Sequence, residues 1–110
     1  VNVIWQGDAN ALALAAFARC DVPAFALNVT GPETLSIPEV ARRLGRLLRR
    51  QPRFVGLTAP DALLSDTTLT QRLFGRPTVP ADRLIEWVAA WTGAGRPTLG
   101  KPTKFEVRDG

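Results

Sequence analysis

Ser36-Ile37-Pro38-Glu39 is the segment that most narrows what this chain can become. Ser36 can cap a helix with its hydroxyl, and Glu39 can reach back to the Ser36 N–H. Pro38 sits in the first turn, where a missing donor does no harm. A helix is therefore fixed at this point. Ile37, Val40, Ala41, Leu44, Leu47 and Leu48 recur at helical spacing behind it, so one stripe is expected to be buried and the arginines to occupy the opposite side.

The segments around this helix read as an alternation. Val1–Gln6 is a strand by its β-branched and aromatic content, bounded by Gly7 and Asp8. Asp8 is expected to cap a helix over about Ala9–Cys20, which Asp21 and Pro23 stop. Ala24–Thr30, with Phe25, Leu27 and Val29 on one face, gives a second strand that Gly31-Pro32 ends. Arg53–Thr58 gives a third. Ser65 or Asp66 caps a helix ending at Phe74 and Gly75, and Pro80 with Asp82 opens another through Trp91. Leu84, Trp87, Val88 and Trp91 are the expected buried stripe of that last helix. The order predicts an α/β domain, a small and mostly parallel three-stranded sheet with covering helices (βαβαβαα). The compact lobe is expected over residues 1–92. Residues 93–110 are expected to form an extended C-terminal tail that packs on the lobe or on a partner, with Lys104–Arg108 a short edge strand or an extended arm.

The residue inventory excludes much chemistry. The 110 residues contain no histidine, no tyrosine, no methionine and one cysteine. They offer no imidazole base, no tyrosine acid and no His/Cys metal cluster, so neither a catalytic residue nor a metal ligand is assigned. Without a histidine to activate it, Cys20 is expected to be a small buried hydrophobe. The carboxylates are scattered and several have capping roles. Gly93 and Gly95 follow a helix instead of linking a strand to one, so no dinucleotide fingerprint or P-loop is present. The absence of an apolar leader, of a span of about 20 apolar residues and of paired cysteines points to a cytoplasmic chain with no membrane partner.

Net charge is +4, and six of the fourteen positive charges, Arg42, Arg43, Arg46, Arg49, Arg50 and Arg53, fall in one stretch. The basic helix over residues 39–50 therefore supports an alternative reading, a freestanding module that holds an anionic partner such as nucleic acid. Nucleic acid is not the expected partner, because stacking aromatics do not interleave with the arginines: Phe54 belongs to a strand pattern and the tryptophans to core positions. Trp5 and Gln6, at the C-terminal end of the first strand, are placed where a parallel sheet binds ligands.

Read together, Val3-Ile4-Trp5-Gln6-Gly7-Asp8-Ala9-Asn10, Leu27 to Ser36 (LNVTGPETLS), Leu64-Ser65-Asp66, Leu73-Phe74-Gly75-Arg76-Pro77 and Leu84-Ile85-Glu86-Trp87 resemble the C-terminal, substrate-binding lobe of NAD-dependent epimerase/dehydratase proteins, the extended short-chain dehydrogenase/reductases. The resemblance runs through nearly the whole chain in the family's order. It implies that NAD(P) and the catalytic Tyr and Lys belong to an N-terminal nucleotide-binding domain that this sequence does not contain. The chain itself would carry no cofactor, and a small-molecule substrate would face Trp5, Gln6, Leu64 and Ser65. Leucines stand where sugar-nucleotide members often place an arginine, which argues against that substrate. The resemblance also implies a lobe cut from a larger protein, which would self-associate through its uncovered apolar face.

Overall fold

The computed structural model describes residues 1–57 and 61–101. Four helices run through it: α1 (Gln6–Ala16), α2 (Ile37–Leu48), α3 (Thr68–Phe74) and α4 (Ala81–Gly93), with a short 3-10 turn at Phe17–Arg19. No strand forms among the described residues. The expected three-stranded α/β sheet is therefore wrong, and the fold is all-helical with long extended connections.

The reason lies in what pairs with the extended segments. A strand needs a backbone ladder beside it, and Val1–Trp5 meets one only at Val1 and Leu35, which exchange two backbone bonds of 2.8 and 2.7 Å. Beyond that point side chains replace the ladder. The Asn2 amide donates to the Ser65 carbonyl at 3.2 Å and accepts from the Ser65 N–H at 3.1 Å. Asn28, in the second expected strand, donates its amide to the Asp66 carbonyl at 2.8 Å, and its own carbonyl accepts from the Thr70 hydroxyl at 2.8 Å. In the third, Gly56 takes a positive φ of 83° and breaks the extended run; Thr58 lies outside the described residues, as does the tail at Lys104–Arg108.

The helix ends follow local chemistry more closely. Ser36 is the N-cap of α2 and Pro38 lies in the first turn, although the Ser36 hydroxyl makes no capping bond. Asp66 accepts from both the N–H (2.9 Å) and the hydroxyl (2.6 Å) of Thr68, which starts α3, and Gly75 ends it with positive φ. The first helix begins earlier than Asp8 suggests, with Trp5 as N-cap and Asp8 in its first turn. It becomes the 3-10 turn after Ala16, and Cys20 beyond is exposed, not buried.

The main helix pair is α2 against α4. The residues of α4 that are buried are Ala81, Ile85 and Ala89, spaced by four along one face. The expected stripe was set on the wrong side: Trp87, Val88 and Trp91 are 45%, 52% and 51% exposed. Two alanines on the contact face let the helices come close, and the bulkier tryptophans take the neighbouring face.

Candidate functional site

Three features can do more than hold the fold: a hydrogen-bonded frame, an aromatic patch and an arginine-lined groove. The frame is built on three carboxylates, those of Asp8, Glu33 and Asp66. Asp8, buried in the first turn of α1, accepts from the Thr78 hydroxyl at 2.7 Å and from the Val79 N–H at 3.0 Å. Burial by itself pushes the Asp8 carboxyl up; the Thr78 hydroxyl and the backbone N–H groups of Val79 and Thr78 more than offset it, and the group sits below the ordinary carboxylate value. The Glu33 carboxylate accepts from the Ala81 N–H at 2.8 Å, taking one of the free donors at the α4 N-terminus. Asp66 is lowered by the Thr68 hydroxyl first and the Thr68 N–H second. Asp8 and Asp66, held below the ordinary carboxylate value, therefore act as anionic hydrogen-bond acceptors, a poor state for proton transfer near neutral pH.

The aromatic patch joins α1 to α4. The rings of Trp5 and Trp87 meet edge to face, with centroids 5.8 Å apart and planes at 72°. The Trp5 ring folds back over Gly7, where a Cβ would collide with it. Both tryptophans keep nearly half their surface open. Trp91 donates its indole N–H to the Pro97 carbonyl at 3.0 Å, and a shallow groove of about 560 Å³ runs past Trp87, Trp91, Ala94 and Arg96.

Of the four residues expected to face substrate, Trp5 and Gln6 are adjacent at the start of α1, both exposed. Ser65 is tied through its backbone to Asn2, and Leu64 beside it is 49% exposed. The Asn2–Ser65 bonds bring the extended start of the chain alongside Leu64 and Ser65, but none of the four residues lines any of five grooves on the described surface.

Those grooves concentrate on α2. One of about 480 Å³ lies between Thr34–Ser36 and α4 and is lined by Arg42, Arg43, Arg46, Glu39, Asp82 and Ile85. Its charge is largely settled internally: Arg43 pairs with Asp82 and, at 3.6 Å, with Glu86, which Arg83 also meets at 3.0 Å. A second, of about 410 Å³, is lined by Arg42, Gly45, Arg46, Arg49, Arg50, Gln51 and Pro52, with no acid among them.

The sequence reading missed the partners that give the frame its reach. Glu33, Thr70 and Thr78 form bonds across 48, 42 and 70 residues, and nothing local announces them; Asn2 alone carried a hint, being a poor strand former inside an apolar run. Among the described residues no group of His, Cys, Asp and Glu is placed to hold a metal, and no helix is long and apolar enough to cross a membrane. Comparison with known protein families, curated proteins and solved structures finds no match to this chain.

Proposed function

We propose that this chain is the substrate-side lobe of an enzyme of the NAD-dependent epimerase/dehydratase kind, supplying binding surface and no catalytic group of its own. The observation that carries this reading is the division of labour within the resemblance. Its polar members Asp8, Asn28 and Glu33 spend their side chains, and Ser65 and Asp66 their backbone groups, on bonds that fix the segments to one another. Its apolar members Val3, Trp5, Val29, Leu64 and Trp87 remain 39–49% exposed. A polar frame that holds an uncovered apolar and aromatic face suits a lobe that closes over a small molecule against another domain.

The residues present do not fit a dinucleotide. The glycine pair Gly93 and Gly95 ends α4, with Gly95 at φ 62°, whereas a pyrophosphate site needs the glycines ahead of a helix N-terminus. NAD(P) belongs, on this reading, to the other domain.

Two measurements test the proposal. Titrating NADH with the chain leaves the emission of the nicotinamide unchanged; enhanced or blue-shifted emission overturns the assignment of roles. In the gene, a strand, a glycine-rich turn and a Tyr-x-x-x-Lys are expected to be encoded ahead of Val1, and a coding region without them removes the reading.

A further inference from the structure

We propose that the groove at the C-terminal end of α2 binds single-stranded nucleic acid, with Arg46, Arg49 and Arg50 on phosphates and Phe54 with Arg42 as the stacking platform. This goes beyond the lobe reading and does not rest on it.

The groove is made by the way α2 ends. Arg49 takes the left-handed conformation (φ 55°), its N–H donates to the Arg46 carbonyl at 3.3 Å, and the Arg50 N–H turns back to the Gly45 carbonyl at 2.8 Å. That return brings Arg50 and Pro52 over Gly45, whose missing side chain leaves the space: a Cβ there would lie 2.5 Å from the Arg50 carbonyl oxygen. Four arginines then line one concavity with no carboxylate in it. The side chains of Arg46, Arg49 and Arg50 have no acidic partner among the described residues, whereas Arg43, one turn away from Arg46, is held by Asp82 and Glu86. Cations in the last turn do complement the helix dipole, but that alone does not require them to converge on one groove.

The sequence places Phe54 in a strand pattern, one of the reasons why nucleic acid is not the expected partner. Phe54 is instead 53% exposed and unpaired in any strand, and the Arg42 guanidinium lies over its ring, 5.5 Å from the centroid. Arg42 also lines the groove, so the aromatic borders the cationic floor. A positive groove beside an aromatic face is what sequence-tolerant single-strand binding uses. An anionic membrane would also attract the arginines; the Phe54 ring beside them, 53% exposed, favours a strand, whose bases can stack on it.

The test is fluorescence anisotropy of the 110-residue chain with a labelled oligothymidylate of about 12 nucleotides. Binding is expected at about 50 mM salt, and with roughly three phosphates engaged the slope of log K against log salt is about −2, a loss of about fifteenfold on going to about 200 mM. Arg46→Gln with Arg50→Gln shallows that slope by about 1.4. Phe54→Ala and Phe54→Leu each weaken binding about tenfold at every salt concentration and leave the slope alone. Circular dichroism of each variant, unchanged from the parent, assigns these losses to the groove. No binding at about 50 mM salt, an affinity that both Phe54 variants leave intact, or binding to phosphatidylserine vesicles without binding to the oligonucleotide overturns the proposal.

Discussion

Asp8 sits in the first turn of α1 and its carboxylate ends at Thr78 and Val79. Removing it takes the charged acceptor from two part-buried hydrogen bonds, so Asp8→Ala is expected to cost about 1–3 kcal/mol, read as a lower urea midpoint. The same group sets an acid limit. Its folded pKa lies below the ordinary carboxylate value, so its contribution is fully present above about pH 4 and is lost as pH falls through the lowered folded value. In acid titrations followed by circular dichroism, Asp8→Asn is expected to shallow the loss of stability below about pH 4; an unchanged acid limb counts against the role. The sequence identified Asp8 as important and gave it a neighbouring target, the free N–H groups of a helix beginning at Ala9. The helix begins instead at Gln6, and the true partners lie seventy positions away, beyond the reach of any local pattern.

Among the elements, α2, α3 and α4 were legible because their ends are written locally: Ser36 and Pro38, Asp66 and Gly75, Pro80. The three strands were not, because a β-branched run specifies extended backbone and leaves the ladder partner open. Here Asn2, Asn28 and Thr70 supplied side-chain bonds where a neighbouring backbone was needed. On α4 the phase slipped because the contact face is marked by alanines. Ile85, 8% exposed between Ala81 and Ala89, is the large side chain of that face. Ile85→Ala is expected to cost about 2 kcal/mol, the low end for such truncations, because the site borders an open groove. At the end of α2, Gly45→Ala should gain up to about 1 kcal/mol of helix propensity. It also drives a Cβ to 2.5 Å from the Arg50 oxygen and 2.9 Å from Pro52, overpacking that costs about 1–3 kcal/mol. Sterics win, and the thermal midpoint is expected to fall.

Among the described residues, the buried apolar side chains are Ala81, Ile85 and Ala89, while Trp5, Phe25, Val29, Leu64, Trp87 and Trp91 stay between 39% and 51% exposed. An uncovered surface of this kind drives association, so sedimentation is expected to show a mass that grows with concentration, and Trp87→Glu to reduce it; a monomer at high concentration refutes this. Which apolar residues stay uncovered was not legible in the sequence, because it depends on packing that no short stretch encodes. The long-range bonds that join the segments span 34 to 71 residues, and loops of that size close slowly compared with the growth of a helical turn. The helices, 7 to 13 residues long, are marginal on their own, so synthesis or refolding must close those distant contacts before the helices are held, and a protease or chaperone arriving earlier meets a chain whose parts are not yet joined.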